Sequence, residues 1–151
     1  MKKIVFEVVQ DAYRMHPDAV ICPPVRATNH AVGHDFSTPE DIDLLPGDSV
    51  TVWTDIKAKF PPNYGLFLFI RSSLGRKGVT LANSVGVVDS DYYGNPQNDG
   101  NIGVCLVNHS SEPVHISKGE RVAQGVCMPC LVAPIDKETG KRDGGFGSTG
   151  R

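Results

Sequence analysis

The chain has 151 residues, of which 40% are hydrophobic and 21% are charged, as in an ordinary folded domain. This length suffices for one hydrophobic core. A formal net charge of −2 argues against a nucleic-acid partner, because nucleic-acid-binding surfaces carry a basic excess. No apolar run is long enough to span a bilayer, and Glu7 interrupts the first apolar segment too early for a signal peptide. We therefore expect a cytoplasmic protein with no membrane partner.

Short strand patterns separated by Gly and Pro turns run along most of the chain. Apolar or alternating segments predict strands at 2–9, 49–56, 64–70, 85–88, 102–107 and 121–128. Helix is expected only as short turns. One is predicted over 38–44, where Thr38-Pro39-Glu40-Asp41 resembles a capped first turn, and the other directly after Arg71. Many short strands with such turns favour an all-β sandwich, barrel or jelly roll.

The last fifteen residues differ in composition from the rest of the chain. Residues 1–136 are predicted to form one β domain, and 137–151 a polar, Gly-rich tail. The tail contains the spacing G-x-G-x-x-G, but no strand pattern precedes it, so a Rossmann site is excluded. Its backbone amides, hydroxyls, one aromatic ring and Arg142 are groups able to close over a phosphorylated nucleotide. The alternative is a disordered end.

Four cysteines are present, at 22, 105, 127 and 130. Cys127 and Cys130 form a C-x-x-C pair, but no second pair completes a zinc site. Residues three apart in an extended segment also point to opposite faces, which opposes chelation. We therefore expect buried or half-buried structural thiols.

Two internal segments combine residue types that suit phosphate chemistry. Arg71-Ser72-Ser73 follows a predicted strand, and its guanidinium and hydroxyls suit phosphate oxygens; a basic surface turn is the alternative. Asp89 ends another strand near Tyr92, as expected for a general base beside an aromatic wall. A turn with Asp side chains bonded to their own backbone, or a divalent cation at Asp89-Ser90-Asp91, would explain the same pattern.

These segments together resemble the trimeric dUTPase family. The matching stretches are 71–74, 83–92, 119–124 and 144–150, in the family's order and at its distances, with a weaker match at 31–36. The resemblance spans residue 24 to the C-terminus. It implies a distorted jelly-roll or β-sandwich fold, Mg²⁺-dependent hydrolysis of dUTP to dUMP and pyrophosphate, and a homotrimer. Each active site would combine segments of three subunits.

The resemblance also implies a role for each matching residue. Asp89 would be the general base for the water that attacks the α-phosphorus, and Tyr92 would pack against the deoxyribose. The uracil edge would be read by Asn83 and by the backbone of Gly86, Val88 and Gly103. The phosphates would be bound by Arg71, Ser72, Ser73 and Gln124. The strap 137–151 would contribute Arg142, Phe146, Gly147, Ser148 and Thr149. Mg²⁺ would be held by phosphates and water, and Asp35 would order that water shell or brace the phosphate-site arginine.

Residues 93–101 are several residues longer than the short hairpin usual in the family, and their polar composition predicts an exposed insertion. A binding protein that recognises a regulatory partner through this insertion is therefore one alternative. The other is deoxycytidine triphosphate deaminase, which shares the fold and an Arg-Ser-Ser segment. That chemistry requires a glutamate on the strand after the hairpin, and residues 102–108 contain no carboxylate.

Overall fold

The computed structural model describes residues 4–134, and within them nearly all regular structure is β-strand. The strands are β1 (Val5–Val8), β2 (His34–Ser37), β3 (Ile42–Leu44), β4 (Ser49–Trp53), β5 (Ile56–Lys59), β6 (Tyr64–Ile70), β7 (Val79–Leu81), β8 (Gly86–Asp89), β9 (Gly103–Asn108), β10 (Val114–Ile116) and β11 (Arg121–Pro129). The all-β prediction is confirmed. The predicted domain boundary at 136/137 lies outside the described residues.

The strands pair antiparallel throughout the described chain. The larger sheet has the order β2-β11-β6-β8, and a second sheet has the order β4-β9-β7; β1 pairs with β5 and β10 with β3. Alternation explains the burial: in β9, Val104, Leu106 and Asn108 face inward while the residues between them are half-buried. Leu66 of β6 is fully buried in the same core. The core therefore fixes the relative positions of β6, β8 and β9, which contribute residues to the pocket described below.

The six strand predictions correspond to β1, β4, β6, β8, β9 and β11, with shifted ends except at β6. Five further strands of three or four residues were not predicted: β2, β3, β5, β7 and β10. These strands carry too few residues for an alternating pattern to be read, whereas β1 and β8, also of four residues, lie in apolar runs.

Of the two helical turns predicted from the sequence, one is present and the other is absent from the described residues. The helix α1 (Ser72–Gly75) follows Arg71 as expected. The helix predicted over 38–44 is wrong, because Ile42–Leu44 forms β3 and pairs with β10. The Thr38 hydroxyl donates to the Glu40 carbonyl (2.8 Å), and the Thr38 backbone bonds to the loop before β11. Such local bonds to a Thr side chain compete with a helical turn. Two 3₁₀ turns, Asp11–Tyr13 and Ser90–Tyr92, complete the short helical pieces described.

The expectation that residues 93–101 are exposed is confirmed for only part of the segment: Gly94, Pro96 and Gln97 are exposed, whereas Asn95 and residues 99–101 are buried. Asn95 and Asp99 are 3% and 4% exposed, and only part of the segment faces solvent. Asp99 accepts hydrogen bonds from the Lys57 ammonium (2.7 Å) and the backbone N–H of Gln10 (2.8 Å). Burial is tolerated because these polar groups find partners in β5 and the N-terminal segment. The surface on which the regulatory-partner hypothesis depends is thus limited to the exposed part of this segment.

The four cysteines form no disulfide. Cys105, Cys127 and Cys130 are half-buried as expected, but Cys22 is exposed, so the prediction is wrong for that residue. Burial raises the pKa of the Cys127 thiol, and the neighbouring Cys130 adds to the shift. Among residues 4–134, no helix has the length and apolar character needed to cross a membrane.

Candidate active site

A pocket of about 410 Å³ lies between β8 and the start of β9. Its volume falls within the range usual for small-molecule sites. Six of the residues predicted from the sequence line it: Asn83, Gly86, Val88, Asp89, Tyr92 and Gly103. Leu68, Val85, Val87 and Ile102 complete the lining and were not predicted. All four are apolar residues in or beside strands. The sequence does not distinguish an apolar side chain that lines a pocket from one that packs in the core.

Local backbone geometry presents the polar groups of this pocket. Gly86 of β8 pairs with Leu68 of β6, and a Cβ at Gly86 would lie 3.1 Å from the Leu68 Cβ. A glycine therefore allows the two strands to approach closely here. β8 ends at Asp89, which is exposed, and the following 3₁₀ turn brings the ring of Tyr92 back into the pocket wall, where it is 7% exposed. One carboxylate and one aromatic ring thus line the same concave surface.

A second group of predicted residues surrounds Asp35 of β2. Asp35 is 7% exposed, and its Oδ1 accepts from the Arg71 guanidinium (2.7 Å) while its Oδ2 accepts from Arg121 (3.0 Å). The two arginines are 26% and 53% exposed along their side chains, so their charged ends reach solvent. Gln124 lies opposite Asp35 in the β2–β11 pairing. This group presents guanidinium and amide donors of the kind that bind phosphate oxygens.

Arg121 was not predicted as a site residue, and a β-bulge explains why. Residues 121 and 124 are an odd number apart, so a regular strand would direct their side chains to opposite faces. The register of β11 against β2 shifts between Arg121 and Ala123. Arg121 consequently pairs with Ser37, two residues from Asp35, and shares the face of Gln124. The bulge is a tertiary feature that alternation in the sequence does not reveal.

The two groups remain separate within one chain. Arg71 is followed directly by α1, whose Ser72 and Ser73 are exposed, and the Arg71 N–H donates to the Val122 carbonyl (3.2 Å). None of Arg71, Ser72, Ser73 and Gln124 lines the pocket that contains Asp89. The remaining predicted residues, Arg142, Phe146, Gly147, Ser148 and Thr149, lie outside the described part of the chain.

His34, next to Asp35 in β2, has a perturbed pKa. Burial is the main cause and lowers the pKa below its usual value, with a smaller lowering from Arg26. A hydrogen bond with the backbone of Gly125 and the Asp35 carboxylate act in the opposite direction. The His34 Nδ1 is buried and finds no hydrogen-bond partner among the described residues, so a proton there would be poorly accommodated.

The chain is similar in sequence to a known family of proteins. The dUTPase family model matches residues 20–150. The deoxyuridine 5'-triphosphate nucleotidohydrolase of Lactococcus lactis is 45% identical over 148 residues, covering 96% of each chain. The homologue from Desulfitobacterium hafniense (strain DSM 10664 / DCB-2) is 40% identical and covers 84% of this chain and 86% of its own length.

Solved dUTPase structures share the fold of this chain. The dUTPase of Streptococcus mutans superposes with a TM-score of 0.74 at 40% identity, covering 86% of this chain and 98% of its own. A dUTPase variant from the Staphylococcus aureus phage phi11, described as coordinating a structural Mg(II) ion, shares the fold at 19% identity with a TM-score of 0.68, covering 90% of this chain and 96% of its own. With the family match over most of the sequence, these likenesses show that the chain belongs to the dUTPase family, enzymes that hydrolyse dUTP.

Proposed function

We propose that this chain cleaves dUTP to dUMP and pyrophosphate by attack of water on the α-phosphorus, with Asp89 as the general base. The observation that carries the proposal is the pocket of about 410 Å³, in which Asp89 lines the same surface as Tyr92 and the backbone of β8. A nucleoside in this pocket would have its 5'-phosphates near a carboxylate that can accept a proton. A positioned base contributes roughly 10²–10⁴-fold to the rate of such a step.

The pocket also supports recognition of deoxyuridine. Backbone groups of Gly86, Val88 and Gly103, with the Asn83 amide, would hydrogen-bond the uracil edge. Such groups discriminate strongly because a wrong base leaves them unpaired. The ring of Tyr92 would pack against the deoxyribose and leave no room for a 2'-hydroxyl. This arrangement would select both the base and the sugar.

Mg²⁺ fits a site of this chemistry. The ion prefers phosphate oxygens and water and retains several waters, so the triphosphate can supply its ligands. When bound, it neutralises phosphate charge and polarises the reacting P–O bonds. Asp35 has both carboxylate oxygens bonded to arginines, which supports a role in bracing Arg71. Any contact of Asp35 with the metal would then pass through water.

The separation of the two residue groups supports a homotrimer with shared sites. Since Arg71 and Gln124 do not line the pocket of their own chain, they would serve the pocket of a neighbouring subunit. The strap 137–151 would close over a third subunit's site. Ordering about ten residues costs on the order of 10–20 kcal/mol. Phosphate contacts and a stack of Phe146 on the base would have to offset this cost together, so closure would require the full triphosphate.

Hydrolysis in ¹⁸O-labelled water, followed by mass spectrometry of both products, tests the site of attack. We expect the label in dUMP; label in pyrophosphate would mean attack at the β-phosphorus and would refute the proposal.

Turnover should also require added Mg²⁺ and stop on chelation. Incubation with dCTP distinguishes the proposed hydrolase from the deaminase alternative, because only a deaminase would convert dCTP to dUTP.

The substitution Asp89→Asn tests the base. Because the amide cannot accept the proton, kcat should fall by roughly 10²–10⁴-fold, while the Kd of a non-hydrolysable dUTP analogue changes little. Asp43→Asn is the matched control, since Asp43 is an exposed carboxylate of β3 whose described bond is to His115. If Asp89→Asn retained the turnover of this control, Asp89 would not be the base.

A further inference from the structure

Tyr92 is held in the pocket wall through its hydroxyl. The hydroxyl donates to the carbonyl of Asn101 (2.9 Å) and accepts from the Asn98 side-chain amide (2.6 Å). Both partners belong to the segment 93–101, which follows the 3₁₀ turn that ends at Tyr92. Two bonds to a single hydroxyl at the end of the ring restrict where the ring lies. The segment 93–101 is thus connected directly to a residue of the nucleoside pocket.

The orientation of the Asn98 amide is fixed by its other contact. Its Oδ1 accepts from the backbone N–H of Gly100 (3.0 Å), so its nitrogen is the atom that faces Tyr92. Gly100 has a φ of +81°, and a Cβ there would lie 2.6 Å from the Tyr92 carbonyl oxygen. The backbone folds closely over Tyr92 at this point, which only glycine permits.

The segment is itself anchored to rigid parts of the fold. The Asn101 Oδ1 accepts from the backbone N–H of Asp55 (3.0 Å), and its Nδ2 donates to the Asp55 carboxylate (2.9 Å). Asp55 is 0% exposed and also accepts from the backbone of Met15 (2.8 Å) and His16 (2.9 Å). Because buried and fully bonded groups resist displacement, Asn98 presents its amide to Tyr92 from a fixed position.

From these contacts we infer that Asn98 is a positioning residue for sugar selection, acting through the Tyr92 hydroxyl. The inference depends on the proposed function, in which the Tyr92 ring excludes a 2'-hydroxyl. A ring held by two bonds cannot move back to admit ribose; a ring that loses one bond has more freedom. The segment 93–101 therefore serves the specificity of the pocket.

The experiment measures kcat/KM for dUTP and for UTP and compares their ratio among variants. Asn98→Asp keeps an acceptor for the Gly100 N–H and removes the donor to Tyr92, so the ratio should fall about five- to tenfold, as expected for one lost hydrogen bond. Gln97→Ala is the matched control, because Gln97 is exposed in the same segment and only its backbone makes a described bond. It should retain the wild-type ratio.

A double-mutant cycle separates positioning from a general loss of stability. Tyr92→Phe keeps the ring and removes the hydroxyl, so it should lower the ratio to a similar extent. Adding Asn98→Asp to Tyr92→Phe should then change the ratio no further. A merely structural effect would lower kcat/KM for both nucleotides equally and leave the ratio unchanged.

The outcomes are distinct. A wild-type ratio in folded Asn98→Asp, or additive losses in the double variant, would overturn the inference. If Asn98→Asp does not fold, Asn98→Ser is measured in its place, with the same expectations. A wild-type enzyme that hydrolyses UTP as well as dUTP would instead refute the proposed role of the Tyr92 ring, which is a failure of the proposed function.

Discussion

Asp35 joins two arginines, Arg71 and Arg121, through hydrogen bonds to its two carboxylate oxygens. Replacing it by Asn leaves Arg71 and Arg121 without their shared anion, so the guanidinium of Arg71 loses its fixed position. We expect Asp35→Asn to lower the free energy of unfolding by about 1–3 kcal/mol and to raise the KM for dUTP. Urea unfolding and steady-state kinetics measure the two effects. Asp43→Asn removes only an exposed contact with His115, so it should leave KM unchanged and lower the free energy of unfolding less than Asp35→Asn does. Equal effects in both variants would contradict this role.

The sequence identified Asp35 but left two roles open for it. Ordering a metal's water shell and bracing an arginine both require a carboxylate, so residue type alone does not choose between them. The contacts with Arg71 and Arg121 favour bracing. Arg121 itself was missed because its approach to Asp35 depends on the bulge in β11.

His34 makes stability depend on pH. Its pKa is lowered in the folded protein, chiefly by burial, so the unfolded chain binds a proton more readily. The contribution of neutral His34 is complete above the unfolded pKa of about 6.5 and is lost as pH falls toward the lower folded value. His34→Phe keeps an aromatic ring against Phe6 and removes the titration.

The loss of unfolding free energy between pH 7.5 and 5.5 should therefore be smaller in His34→Phe than in the wild type. Urea unfolding at both pH values and one protein concentration measures the difference. Because the comparison is between two proteins, titration of the other histidines cancels. An equal or larger loss in the variant would show that His34 does not titrate in this way.

At the scale of elements, β11 organises the larger sheet by pairing with both β2 and β6. Gly125 of β11 leaves room for side chains of both neighbouring strands: an added Cβ would be 2.8 Å from a Phe36 ring carbon and 2.9 Å from the Leu66 Cδ1. We expect Gly125→Ala to lower the free energy of unfolding by about 1–3 kcal/mol, because both neighbours are buried. Chemical denaturation measures this change.

Gly75→Ala is the matched control for that substitution. A Cβ at Gly75 would lie 3.8 Å from Ile70, an ordinary contact, in the short helix α1. Its effect should stay within about 0.5 kcal/mol. A loss as large as that of Gly125→Ala would mean that the close packing around β11 is not the cause.

The segment 93–101 illustrates where sequence reasoning at this scale fails. Asn, Asp and Gly are the residues of exposed turns, and their composition led to a prediction of an exposed insertion. The polar side chains and backbone of such residues can equally well be buried when the fold supplies hydrogen-bonding partners for them. Lys57, Gln10 and Asp55 supply them, and all three are distant in sequence.

At the scale of the whole molecule, we expect the proposed strap to be separable from the β domain. Removing residues 142–151 should leave the free energy of unfolding of the β domain unchanged, because the described core lies entirely within residues 4–134. Turnover of dUTP should fall strongly, since nothing would close over the triphosphate. Thermal unfolding and steady-state kinetics test both statements.

Light scattering on the same two proteins tests the assembly. We expect a mass near three times the chain mass of 16.3 kDa, with only a small decrease on truncation. Normal dUTP turnover by the truncated protein would contradict the role of the strap. A monomeric enzyme with full activity would contradict shared sites.

The sequence alone determined the all-β class, the family and six of the ten residues that line the pocket, because these depend on local patterns and on motifs in a fixed order. Only the tertiary structure decided that Asp35 binds two arginines, that Asn98 meets Tyr92, and that Arg71 lies away from the pocket of its own chain. The physical reason is that strand pairing, a bulge and buried hydrogen bonds join residues far apart along the chain. A hydrogen-bond donor gives no sign in the sequence of which distant acceptor the fold will bring to it.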